Sequence, residues 1–192
     1  PDSYPTVLPD YLNFDYRLGV LKDFLAKEAE LQSVLCLQEV SQAIMPALTD
    51  FCQTHHYRLI SSLYHAQSFG VAILVPPIFE VLTSETVKVV DLVKFPPKPR
   101  PAVDKSWWGW AKSYVPFANT KAPEPPNPYR GAFKDNTAIC AVLGQGGVPF
   151  LIVSTYHMPC QFDNLTVMGI HASHYVDWVQ RKSGVYKVPY II

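Results

Sequence analysis

Ser33-Val34-Leu35-Cys36-Leu37-Gln38-Glu39-Val40 is the stretch on which the fold reading turns. Five of its eight residues are apolar, the pattern of a short buried strand. Such a strand should not end in a carboxylate, yet this one ends in Gln38-Glu39. An ionised carboxylate left unpaired in an apolar setting costs several kcal/mol or more. A cation, backbone donors or a metal ion must therefore satisfy Glu39, unless the side chain simply points outward at the strand end.

Working outward, Tyr16 to Ala29 follows a helical pattern, with Leu21, Phe24, Leu25 and Glu28 on adjoining positions, Val20 one turn before Phe24, and Asp15 as N-cap. After the strand, Ser41 is placed to cap a second helix over Gln42 to Thr54, with Ile44, Leu48 and Phe51 inward and Pro46 in the first turn. Strands are expected at Tyr57 to Leu63, at Gly70 to Val75 and at Phe79 to Val90, the last with a break near Ser84. The loop from Tyr64 to Gly70 carries Tyr64, His65, Gln67 and Ser68 between two buried strands, a place where function often lives.

Composition shifts at Asp91 to Arg130, which holds nine of the 18 prolines and the run Trp107-Trp108-Gly109-Trp110. It reads as a long insertion between strands, at about 91–132. Its tryptophans either pin it to the domain or form a contact for a partner, a membrane surface or stacked bases, with Lys105, Lys112 and Lys121 nearby. Strands resume at Asn136 to Leu143 and at Pro149 to Tyr156, joined by Gly144-Gln145-Gly146-Gly147 as a hairpin. A helix over Leu165 to Arg181 follows, with Val167, Ile170, His174 and Trp178 inward and His171 beside them. Val188 to Ile192 opens a further strand.

The chain's 192 residues suit one domain, and 16 Lys plus Arg balance 16 Asp plus Glu. That balance excludes a strongly basic protein that coats nucleic acid. Cys36, Cys52, Cys140 and Cys160 form no Cys-x-x-Cys pair and read as reduced core or near-core thiols of an intracellular protein, cytoplasmic or organellar. No apolar run reaches the ~18 residues of a membrane-spanning helix. Hairpin strands flanked by helices indicate an α+β layered sandwich. Glu39 and His157 then stand out, each at the C-terminal end of a buried strand. A carboxylate there suits Mg²⁺, which takes few carboxylates and keeps positions for phosphate oxygens and water. A histidine at the rim suits donation to a phosphoryl oxygen.

In order and wording the chain resembles the endonuclease/exonuclease/phosphatase superfamily of Mg²⁺-dependent phosphodiesterases. Leu35-Cys36-Leu37-Gln38-Glu39-Val40 is similar to its ICLQEV motif, Gly70-Val71-Ala72-Ile73 to its G-x-A-I strand, and Ser154-Thr155-Tyr156-His157 to its N-T-H-L segment with a tyrosine inserted. Tyr11-Leu12-Asn13-Phe14-Asp15-Tyr16-Arg17 resembles the stretch before the first helix in the deadenylase and nocturnin-like branch. The resemblance implies an α+β, four-layer α/β/β/α sandwich (deoxyribonuclease I-like), incomplete here. It implies Glu39 as the ligand of Mg²⁺, or Mn²⁺ in its place, His157 as the phosphate-facing catalytic residue, and Gln38 and Asn136 as supporting residues. The implied activity is hydrolysis of phosphodiester or phosphomonoester bonds in RNA, DNA or a nucleotide. The family's early Asn, its Gly-Asp-Phe-Asn and its Ser-Asp-His are not in this sequence, so the chain reads as a domain truncated at both ends and nearly inert alone. Two further readings follow from the same residues: an inactive family member serving as a binding or scaffold module, and a lipid- or inositol-phosphate phosphoesterase with Trp107, Trp108 and Trp110 dipping into a membrane interface.

Overall fold

A computed structural model describes residues 6, 8–63, 69–93, 134–160 and 164–192. The Pro- and Trp-rich insertion, with Trp107, Trp108 and Trp110, and the polar loop residues Tyr64, His65, Gln67 and Ser68 lie outside the described residues. In chain order the elements are α1 (Pro9–Leu12), α2 (Phe14–Glu30), β1 (Leu35–Gln38), α3 (Met45–Thr54), β2 (Arg58–Leu63), β3 (Gly70–Val75), β4 (Glu80–Lys88), α4 (Val89–Leu92), β5 (Thr137–Gln145), β6 (Val148–Tyr156), α5 (Leu165–Tyr186) and β7 (Tyr190–Ile191). They form two sheets, β1-β3-β2 and β4-β5-β6-β7, antiparallel throughout except where β7 runs parallel to β6.

The strand period of two sorts the central strands into three packed interfaces. All six residues of β3 are buried. Ala72 and Leu74 join Leu25 and Ala29 of α2 and Leu48, Phe51 and Cys52 of α3. Val71, Ile73 and Val75 point the other way, onto Ile139, Ala141 and Leu143 of β5 and Val153 of β6. Ala138, Cys140 and Val142 of β5 face Tyr175, Trp178 and Val179 of α5. Helix, sheet, sheet and helix are thus stacked in that order, the four-layer α+β sandwich that the sequence led us to expect.

Local chemistry shifts several element boundaries. Asn13, not Asp15, caps α2: its Oδ1 accepts from the Asp15 and Tyr16 N–H groups at 2.8 and 3.2 Å. Asp15 sits in the first turn, where its charge complements the helix dipole. The inward stripe of α2 is Leu21, Leu25 and Ala29, whereas Val20 and Phe24 are each 55% exposed. The Ser41 carbonyl accepts from the Ile44 N–H in a preceding turn, so α3 begins three residues later than a Ser41 cap would place it, with Pro46 in its first turn. The irregularity in β4 is a bulge between Val81 and Thr83 rather than a break near Ser84. On α5 the two histidines exchange the expected places: His171 is fully buried and His174 only half-buried. Cys52 and Cys140 are buried, as expected of core thiols, whereas Cys36 and Cys160 are exposed, which corrects those two as core or near-core residues.

At the β5–β6 hairpin, Gly146 and Gly147 take φ of 58° and 76°, and the Glu80 carboxylate accepts from both their N–H groups at 3.0 and 2.9 Å. Gly70, opposite Leu63, has no room for a β-carbon: one would lie 2.2 Å from the Ser62 carbonyl oxygen. Gly19, inside α2, would meet nothing within 4 Å. Two glycine-to-alanine variants should therefore differ in sign. Gly70→Ala should lower unfolding free energy by about 1–3 kcal/mol through overpacking, and Gly19→Ala should raise it by about 0.5–1 kcal/mol through helix propensity; urea denaturation reads both.

Burial pushes the thiols of Cys52 and Cys140 up from 9.0 to about 11, and the Tyr175 hydroxyl from 10.0 to about 12. In each case the folded state holds the proton more tightly than the unfolded chain does. Their contribution to stability is complete below pH 9 and is lost as pH rises through the folded values. Melting temperature should accordingly fall between pH 9 and 11, and a Cys52→Ala, Cys140→Ala double variant should show a shallower fall.

Candidate active site

The carboxyl ends of β1 and β6 meet at one pole of the sandwich. β1 stops at Gln38 because Glu39 takes a positive φ of 54°, which a strand cannot continue. Left-handed backbone costs a residue with a β-carbon roughly 1–2 kcal/mol, and such conformations gather at functional sites. The chain is recaptured at once: Val40 is buried, and its N–H donates to the Gly70 carbonyl at 3.0 Å. The turn lifts the Glu39 carboxylate clear of the ladder, with its side chain 70% exposed. The desolvation cost foreseen for a buried Glu39 therefore does not arise.

His157 is the first residue after β6, with its side chain 23% exposed. Its Nε2 lies 3.4 Å from Oε1 of Glu39. Residues from two different sheets are thus brought into one ion-pair distance, with a hard carboxylate and an imidazole side by side at an open rim.

Gln38 and Asn136, which the resemblance offers as supporting residues, both bond to backbone carbonyls next to this pair. Gln38 Nε2 donates to the Tyr156 carbonyl at 3.2 Å, a bond from one sheet to the other. Asn136, buried at the start of β5, donates its Nδ2 to the His157 carbonyl at 2.7 Å, while its own carbonyl accepts from the Val89 N–H at 3.2 Å. Beside the seam lies a cavity of about 310 Å³ whose walls include Cys36, Gln38, Thr155 and Ile192.

Sequence reasoning missed the layer behind His157. The Tyr156 hydroxyl and His171 Nδ1 are hydrogen-bonded at 2.7 Å. Tyr175 donates to Ser154 Oγ at 2.9 Å, and Ser154 donates to the Ile139 carbonyl at 2.6 Å. The available signal was the spacing: polar aromatics four apart on a helix opposite hydroxyls two apart on a strand.

Among the described residues, no group of three or more His, Cys, Asp and Glu side chains is gathered to hold a metal ion. What the site does offer is one exposed carboxylate, and Mg²⁺ characteristically uses one or two carboxylates with water or phosphate oxygens filling its octahedron. The donor chemistry fits a hard, open-sided cation and does not fit a closed structural zinc site.

Solved structures share this architecture. ANGEL2, a 2',3'-cyclic phosphatase crystallised in complex with adenosine-2',3'-vanadate, superposes with a TM-score of 0.51 at 15% identity, over 86% of this chain and 40% of that one. TDP2 from Caenorhabditis elegans gives 0.55 at 15% identity, over 91% and 41%. A truncated form of C. elegans TDP2 gives 0.54 at 16%, over 91% and 53%. The fold is deoxyribonuclease I-like. The chain spans about 40–53% of the length of these neighbours. No family model matches the sequence, and no curated protein matches it either. Among the described residues no helix is long and apolar enough to cross a membrane.

The backbone strain at Glu39 can be measured. Glu39→Gly relieves about 1–2 kcal/mol of left-handed strain and adds about 0.5–1 kcal/mol of unfolded-state entropy. A net gain of about 0.5–1 kcal/mol in unfolding free energy is expected. Glu39→Ala, which keeps a β-carbon and also loses the contact with His157, should show no such gain.

Proposed function

We propose that this chain is part of a divalent-metal-dependent phosphoesterase domain, interrupted at about 91–132 by the Pro/Trp-rich insertion. The observation that carries the reading is the meeting of Glu39 and His157 at 3.4 Å, from strand ends of separate sheets, in a deoxyribonuclease I-like fold. Glu39 is the metal ligand, for Mg²⁺ or Mn²⁺. Bound there, the metal would polarise a phosphoryl oxygen and steady the charge that develops on in-line attack by water.

His157 faces the phosphate. An imidazole at the rim of a cleft presents a polarised N–H to a phosphoryl oxygen or orients the attacking water. Its own place is set from behind, since Asn136 grips its carbonyl and Gln38 grips the carbonyl before it. Glu39, one residue beyond Gln38, shares that anchorage, so the two side chains keep their spacing as the substrate arrives. Glu39 and His157 make up only part of such a constellation, whose members act as a unit. The substrate is a phosphodiester of RNA, DNA or a nucleotide. The deadenylase- and nocturnin-like wording of Tyr11 to Arg17, and the 2',3'-cyclic phosphatase among the fold neighbours, favour RNA or a nucleotide. The thiols of Cys36, Cys52 and Cys140 support a reducing, intracellular setting.

The test uses the full-length protein with labelled single-stranded RNA and adenosine 2',3'-cyclic phosphate as substrates. Hydrolysis of at least one is expected with Mg²⁺, none with EDTA, and recovery when Mg²⁺ or Mn²⁺ is restored. Glu39→Ala and His157→Ala should each lower kcat/KM by about 10²–10⁴-fold. Metal-independent turnover, or unchanged rates in both variants, would refute the proposal.

A further inference from the structure

Tyr156, the residue immediately before His157, is held by both its backbone and its side chain. It pairs with Ala138 in the β5–β6 ladder. Its carbonyl accepts from Gln38 in the other sheet at 3.2 Å. Its side chain is buried, with the hydroxyl bonded to His171 Nδ1 at 2.7 Å and the two rings stacked at 13°.

That last contact is one rung of a ladder between β6 and α5. Tyr175 and Ser154 make the second rung at 2.9 Å. His171 and Tyr175 are four apart on α5, a rise of about 6 Å. Tyr156 and Ser154 are two apart on one face of β6, about 6.7 Å. The two spacings match, so both rungs form together and α5 is locked in register against the strand. His171 has no exposed surface at all. A polar group so placed is retained at a cost unless it is bonded, because burial without a partner is penalised.

We infer that Tyr156 and His171 are positioning residues that fix where His157 stands opposite Glu39, an inference that rests on His157 being the phosphate-facing group. The rung nearest His157 governs its placement, and the rung at Ser154 governs helix docking. A displacement of the order of 1 Å at a reacting group can cost about 10²-fold in rate. Losing one hydroxyl while keeping the ring should move His157 by less than that.

Tyr156→Phe and Tyr175→Phe form a matched pair. Each deletes one buried hydroxyl from the same ladder and keeps the ring, so both variants should stay folded. In the full-length protein, Tyr156→Phe should lower kcat about tenfold with KM within about twofold of wild type, and Tyr175→Phe should lower kcat by less than about threefold. The His157 imidazole resonance in an NMR spectrum, assigned by its absence in His157→Gln, should shift in Tyr156→Phe and stay in place in Tyr175→Phe. The inference is overturned if Tyr156→Phe leaves both kcat and the resonance at their wild-type values, or if Tyr175→Phe alters both as much. If the wild-type protein proves inactive, the phosphoesterase reading fails, and the resonance comparison alone decides the positioning role.

Discussion

The contact between β3 and β5 is the constraint on which everything else depends. Val71, Ile73 and Val75 of one strand lie against Ile139, Ala141 and Leu143 of the other, all buried. Each large aliphatic side chain so buried is worth about 1.5–3 kcal/mol. The alternate residues of both strands are buried too, against α2 and α3 on one side and α5 on the other. A slip of one residue in either sheet would exchange the two faces and disrupt both packings together. Register is therefore strongly specified, and with it the level at which β1 and β6 end. That level is what lets a glutamine of one sheet reach a carbonyl of the other.

At that pole the structure departs from the regularity that builds the rest of it. β1 is cut short by a left-handed glutamate, a local cost of a kind found where geometry serves chemistry. The surrounding frame makes the conformation tolerable: β3 receives the Val40 N–H just beyond it, and Gln38 is tied across the seam just before it. The carboxylate is thereby exposed on a fixed backbone rather than on a mobile loop. A rigidly held carboxylate that stays solvated avoids the desolvation cost that a buried one would carry.

Behind His157 the sandwich is polar where a simple core would be apolar. Ser154, Tyr156, His171 and Tyr175 are all buried and hydrogen-bonded to one another or to backbone. Such networks define one arrangement more sharply than aliphatic packing does, because a shifted register leaves several groups unsatisfied at once. Burial keeps the Tyr175 proton in place up to about pH 12, so this rung is insensitive to pH in any ordinary range.

Much of the frame was legible in the residues. The continuous apolar run of β3, the Gly-rich hairpin between β5 and β6 and the strand ending in Gln38-Glu39 each carry a local signal, because strand burial and tight turns act on residues close in sequence. Glu39 and His157 were legible as polar residues at strand ends, whereas Gln38 and Asn136 entered only through the family resemblance. Boundaries were less so: Asn13 displaced Asp15 as cap, since neighbouring polar side chains compete for the same free N–H groups, and the Ser41 carbonyl closed a backbone turn ahead of α3, whose start has no side-chain cap. Which histidine of α5 turns inward depended on a hydroxyl fifteen residues away, and the 3.4 Å approach of Glu39 to His157 on residues 118 apart from the opposite sheet. The sequence by itself determined the elements and their polar ends, through short-range propensity and periodicity. The tertiary structure alone decided which of those ends meet, because that distance is set by the packing of β3 on β5 and not by any interaction local to the chain.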